Sequence, residues 1–175
     1  VYPGAQIPFG GIQISPDTDS RFYDAASGYK YNHLTLMGFS LTHLSGTGIP
    51  DLGDFLFIPG TGEMKLEPGT HEDPDQGYRS RYSHDKEWAS PNYYAVELAD
   101  YGVKAEMTSG VRSGMFRFTY PESDNAFIMI DMNHTLWQSC EWSNLRMIND
   151  STITGYKLVK GWGPERHVYL SLIHI

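Results

Sequence analysis

Between Gly38 and Pro59 the chain reads GFSLTHLSGTGIPDLGDFLFIP, a stretch that gathers hydroxyls, an imidazole and carboxylates among glycines. Ser40, Thr42, Ser45 and Thr47 can donate and accept hydrogen bonds, His43 can do either from its ring, and Asp51 and Asp54 can only accept while ionised. Glycines allow the backbone to come close to a ligand. The apolar run Phe55 to Ile58, ended by Pro59-Gly60, predicts a short buried strand, so the polar loop is attached to a rigid element. A plain β-turn loop whose hydroxyls satisfy their own backbone fits the same residues. Ser45 lies in neither a G-x-S-x-G elbow nor an S-x-x-K motif, so nucleophilic serine chemistry has no support. His43 has no His at i+2 or i+4 and reads as a loop histidine or a hydroxyl ligand rather than a zinc ligand.

A second set lies just upstream. Phe22, Tyr23, Tyr29 and Tyr31 stand beside Asp24, Ser27 and Asn32. Sugar rings offer an apolar face for stacking and a rim of hydroxyls for such polar neighbours, whereas the same rings can equally fill a core beneath a loop. Trp88, Trp137, Trp142 and Trp162 carry the same two readings. The acidic pairs Asp17/Asp19, Asp51/Asp54 and Asp73/Asp75 invite a metal or glycosidase reading. Asp73-Pro-Asp75-Gln-Gly77 lacks the length and closing Glu of a calcium loop. Glycoside hydrolysis needs two carboxyls about 5 Å or about 6.5–9.5 Å apart, and nothing in the sequence sets such a separation. Each pair also fits a charged turn.

The elements that must position these groups are strands. Tyr93–Ala99, Val103–Thr108, Met115–Tyr120, Ala126–Met132, Thr152–Val159 and His167–Leu170 are short strand candidates, the earlier ones separated by turns such as Asp100-Tyr101-Gly102 and Ser113-Gly114. Ile12-Gln13-Ile14 alternates as well. Residues 21–52 show no sustained period, which is uncommon in a compact domain unless the segment is functional, and residues 60–91 read as a polar excursion between strands. No segment holds a helical period over three turns. The predicted fold is all-β, an antiparallel β-sandwich.

The totals limit the function. The 175 residues suit one domain, and the net charge of −8 without a Lys/Arg cluster disfavours nucleic acid and anionic membranes as partners. One cysteine, Cys140, excludes an internal disulfide and a multi-cysteine metal site. No apolar run reaches the roughly 18–20 residues of a membrane span. Asn133-His-Thr135 and Asn149-Asp-Ser151 fit the N-glycosylation pattern, which matters only in a eukaryotic secretory host.

Read together, Pro3-Gly4-Ala5, Pro8-Phe9-Gly10, Ser15-Pro16-Asp17-Thr18, Ser27-Gly28-Tyr29-Lys30-Tyr31 and above all Gly38-Phe39-Ser40-x-Thr42-His43-Leu44-Ser45-Gly46-Thr47-Gly48 with Gly53-Asp54 resemble glycoside hydrolase family 92. That family comprises calcium-dependent exo-α-mannosidases. Ala89-Ser-Pro91, Tyr93-Tyr94, Asp100-Tyr-Gly-Val103, Arg112-x-Gly114, Arg117-Phe118, Gly155-Tyr156 and Gly161-Trp162 extend the resemblance over nearly the whole chain. It implies residues 1–170 as an N-terminal β-sandwich domain, a fragment without activity by itself. A missing (α/α)6 domain of the same polypeptide would supply the inverting acid and base and most of the calcium site. It implies α-mannoside glycans, either N-glycans or mannan, as substrates, and a secreted, periplasmic or cell-surface bacterial location. By the same analogy no catalytic residue or metal ligand lies in this chain, and Tyr23, Asp24, Tyr29, His43, Ser45 and Thr47 are the substrate-side or inter-domain residues. Leu41 and Phe116 stand where family members often show His. A stand-alone carbohydrate-binding sandwich without catalysis is the alternative, and a purely bracing domain a third reading. The end Ser171-Leu-Ile-His-Ile175 looks like a translated adaptor, and the coding DNA past codon 175 tests that expectation.

Overall fold

The computed structural model describes residues 2–21, 25–46 and 48–175. In chain order its strands are β1 (Ser15–Asp17), β2 (Thr35–Leu36), β3 (Gly38–Ser40), β4 (Leu56–Thr61), β5 (Ser80–Arg81), β6 (Glu87–Ser90), β7 (Tyr93–Leu98), β8 (Val103–Ser109), β9 (Gly114–Thr119), β10 (Ala126–Asp131), β11 (Ser139–Asn149), β12 (Thr152–Lys160) and β13 (Arg166–Ile173). Among the described residues, helix is confined to single 3-10 turns at Pro74–Gln76 and His84–Lys86, and no helix is long and apolar enough to cross a membrane. The all-β expectation holds, and every pairing between these strands is antiparallel.

Two four-stranded sheets make the sandwich, one ordered β1-β3-β4-β10 and the other β6-β7-β8-β9. Alternation decides what lies between them. In β8, Val103, Ala105 and Met107 are buried while Lys104, Glu106 and Thr108 face outward, as the sequence pattern predicts. From β7, Tyr94, Val96 and Leu98 join them, and Ile14 and Phe39 arrive from the opposing layer. Phe39 packs on Phe118 at 6.3 Å and Phe57 on Phe116 at 5.0 Å between ring centres, so aromatic pairs hold the two layers together.

A third sheet, β11-β12-β13, stands beside the sandwich. It is fastened by charge. Lys157 on β12 is fully buried between Gly155 and Val159; its ammonium lies 3.2 Å from Asp54 and 5.4 Å from the centre of the Phe55 ring. Arg166 of β13 reaches the other oxygen of Asp54.

The structure differs from the sequence reading in several places, among them the polar excursion of residues 60–91, which holds β5 and the sandwich strand β6. Pro59-Gly60 does not end β4, because β3 meets β4 only at Phe57 and Pro59 therefore displaces no ladder bond to it, while β10 pairs across Pro59 and the Phe127 ring covers Gly60. The first strand starts at Ser15, and Ile14 makes only an isolated bridge to Ala5. β11, at eleven residues, follows no alternation that a sequence reading could use. Residues 171–173 extend β13, with Ser171 opposite Thr154 and Ile173 opposite Thr152.

Phe39, fully buried where the layers meet, tests this packing. Phe39→Ala is expected to lower stability by about 3–5 kcal/mol, read as a lower urea midpoint with an unchanged slope.

Candidate functional site

The polar stretch after β3 is a hairpin. Leu41 N–H donates to the Asp54 carbonyl at 3.0 Å, Gly53 N–H to the Thr42 carbonyl at 2.8 Å, and His43 bridges Leu52. The returning leg is bent: Leu52, Gly53 and Phe55 all have positive φ, at 75°, 75° and 58°. For Leu and Phe that backbone is strained and persists only where surroundings hold it. A side chain at Gly53 would run into Leu136, whose N–H is tied to the Leu52 carbonyl at 2.9 Å.

Beneath the hairpin lies an enclosed carboxylate. Asp17, on β1, is wholly buried and accepts from the Ser40 hydroxyl at 2.6 Å, from His43 Nε2 at 2.7 Å and from His134 Nε2 at 2.8 Å. His43 Nδ1 lies 2.7 Å from the Gln13 carbonyl, so both ring nitrogens are engaged. Burial alone would raise the Asp17 pKa, yet the charge and hydrogen bonds of His43 and His134 outweigh it and hold the carboxyl well below the usual range. Gly28, at φ +82°, closes the site from the side, because any Cβ there would collide with the Asp17 carboxylate. His134 carries the network onward, its carbonyl accepting from Lys157 Nζ at 2.6 Å. Asp54 Oδ2 accepts from the Thr42 hydroxyl at 2.7 Å and from Arg166, while the Lys157 ammonium forms an ion pair with Oδ1 at 3.2 Å. Burial pushes its pKa up, but those cations bring it below the ordinary value.

The expected site residues divide by depth. His43 is enclosed, with no side-chain surface exposed. Tyr29 is buried, and its hydroxyl donates to Glu87 at 3.1 Å; burial first, then Tyr82 and Glu87, lift its pKa far above the usual phenol range. Ser45 lies exposed at the hairpin tip. Tyr23, Asp24 and Thr47 lie outside the described residues. The hairpin brings His43 and Ser45 onto one element, while Tyr29 belongs to a separate cluster with Tyr82, Tyr94 and Glu87. Sequence reasoning missed His134 and Lys157. Lys157 did carry a signal, being a lone cation at an inward position of an alternating strand.

An open cleft of about 310 Å³ lies at the His134 end of this network, lined among others by Ser20, Met37, Tyr78, Asn133, Thr135 and Trp137. Among the described residues Asp19, His33 and His71 are the one convergent group of three or more metal-ligating side chains. Two imidazoles do not suit calcium, which takes six to eight oxygens, so these residues do not form a calcium cage.

Residues 1–173 match the family model of the glycosyl hydrolase family 92 N-terminal domain. A family GH92 α-mannosidase from Bacteroides thetaiotaomicron is similar at 99% identity and TM-score 0.96, covering 98% of this chain and 23% of that one. The structure of that enzyme with mannoimidazole matches at 99% identity and TM-score 0.96, over 98% of this chain and 22% of that one. The GH92 hydrolase ccman5 shares the fold at TM-score 0.72 and 24% identity, over 97% of this chain and 23% of that one. The chain thus spans under a quarter of the length of these solved relatives. No curated protein matches it.

The folded Asp17 pKa lies below its unfolded value of about 3.9. Its contribution to stability is therefore complete above about pH 4 and is lost as pH falls from there toward the folded value. Asp17→Asn should cost about 3–5 kcal/mol at pH 7 and flatten this acid limb, as measured by urea midpoints from neutral to acid pH.

Proposed function

From the premise that this chain belongs to glycosyl hydrolase family 92, as its N-terminal domain, we propose that it forms a wall of the substrate cleft in an exo-α-mannosidase. It shapes the approach of α-mannoside glycans, N-glycans or mannan, while a following helical domain supplies the acid, the base and the calcium. One observation carries this reading: every carboxylate beneath the hairpin is buried and paired, whereas the hairpin tip around Ser45 is exposed. A general acid or base must reach the glycosidic oxygen or a water, and Asp17, Asp51 and Asp54 are all engaged in holding the fold. Ser45, with Tyr23, Asp24 and Thr47, is the set assigned to substrate or to the helical domain. His43 and Tyr29, buried and hydrogen-bonded to Asp17 and Glu87, are assigned to holding the fold. Calcium would favour the distorted sugar ring from ligands outside this chain. The enzyme is assigned to the secreted, periplasmic or cell-surface space, where such glycans are met.

A second reading, a carbohydrate-binding sandwich, is favoured by one feature. Trp142, Tyr156 and Tyr169 stand in contact across the outer face of the third sheet, at 5.1 and 5.0 Å between ring centres. Retention of the isolated chain on a mannan gel would support it.

Two outcomes are expected. The purified 175-residue chain should not hydrolyse an aryl α-mannoside, and detectable turnover would end the proposal. In the full-length enzyme, Ser45→Ala should raise KM with little change in melting temperature. His43→Ala should lower the melting temperature by several degrees, corresponding to about 2–4 kcal/mol, before it lowers turnover of the folded fraction.

A further inference from the structure

We propose that Asp19, His33 and His71 form a binding site for a borderline first-row divalent cation, with Zn²⁺ as its best occupant. The three residues come from separate stretches, just after β1, just before β2 and in the excursion after β4, and one ligand atom from each lies within 4.8 Å of the others. His71 Nε2 is 3.2 Å from Asp19 Oδ2. Two ligands bonded to one tetrahedral zinc at about 2.0–2.1 Å stand about 3.3 Å apart, so this edge of a coordination polyhedron is already formed.

Outer hydrogen bonds reach both rings at Nδ1. His33 Nδ1 lies 3.0 Å from the Thr18 hydroxyl and His71 Nδ1 2.8 Å from the Thr35 hydroxyl. Thr18 Oγ1 also accepts the Lys30 N–H at 3.0 Å, and Thr35 Oγ1 accepts from Arg79 at 3.3 Å. Thr18 Oγ1, which donates to the Gly28 carbonyl, accepts the His33 Nδ1–H, and Thr35 Oγ1 can accept the His71 Nδ1–H once a cation takes the place of the proton that His71 Nε2 directs at Asp19. Holding the second nitrogen in this way is the usual support of a metal-bound histidine. The rings lie 3.9 Å apart between centres. Two imidazoles and one carboxylate select zinc, cobalt or nickel over calcium and magnesium.

Charge opposes binding and says how the site must work. Arg21 grips Asp19 through Nε at 2.8 and 3.1 Å, through Nη2 at 2.6 Å and through its backbone N–H at 2.8 Å. Its side chain is 66% exposed, and a cation on the Asp19 carboxylate would have to displace it. Arg79, donating to the Thr18 carbonyl at 2.6 Å, is fixed and stays. Arg21 therefore competes with the metal for Asp19.

Titration calorimetry with ZnCl₂ tests this on the protein and on variants whose circular dichroism is unchanged. One Zn²⁺ per chain is expected, bound at least about tenfold more weakly by His71→Gln and by Asp19→Asn and more tightly by Arg21→Ala. Co²⁺ at the same site should show visible ligand-field absorption that Zn²⁺ abolishes and Ca²⁺ does not. Arg21 is exposed, so its variant keeps the test decisive if the other two fail to fold. Zinc binding indifferent to Arg21→Ala and to His71→Gln, or no binding, overturns the proposal and reduces the cluster to a hydrogen-bonded brace. Neither result bears on the mannosidase reading.

Discussion

The Asp17 carboxylate is the point on which the rest of the site depends. It is a full charge with no access to water, a state that is costly unless each oxygen is paired. Ser40, His43 and His134 supply that pairing from β3, from the hairpin and from the segment after β10. Stretches 117 positions apart in sequence are thereby fixed to one atom group. Removing any one donor leaves a buried charge short of a partner, which is strongly destabilising.

The hairpin takes its shape from that constraint. Its base is locked by ladder bonds, by Thr42 on Asp54 and by the enclosed His43, and its backbone strain at Leu52 and Phe55 is held by the packing below. Ser45 and Gly46, farther along the hairpin, are exposed. Asp17, Thr42, His43 and Asp54, which look catalytic in one dimension, are spent in three on hydrogen bonds and ion pairs that hold the fold. This is the role expected of a domain that belongs to a glycosidase family yet offers no accessible pair of carboxylates beneath its polar loop.

The strands were legible where one face is buried and the other wet. Val103 to Thr108 shows this plainly, and so does the inward run of Gly155, Lys157 and Val159. β11 was not legible because its residues are exposed on both faces over much of its length, so no alternation marks it. The Gly38–Pro59 stretch was recognised as special from its residue types, and its family from the motif. The depth of His43 was hidden, since burial there depends on Asp17, Gly28 and His134 arriving from elsewhere. His134 had no periodic or compositional signal at all. Lys157 had one, because an inward lysine in a strand needs a buried anion.

The joint between the third sheet and the sandwich responds to heat differently from the layers it joins. Phe39, Phe57, Phe116 and Phe118 hold the two layers by apolar contact, whose strength per unit area levels off on warming. Lys157, Asp54 and Arg166 hold the third sheet by charge, and the cost of stripping water from ions falls as temperature rises. Heating thus shifts the balance between the two toward the ionic joint.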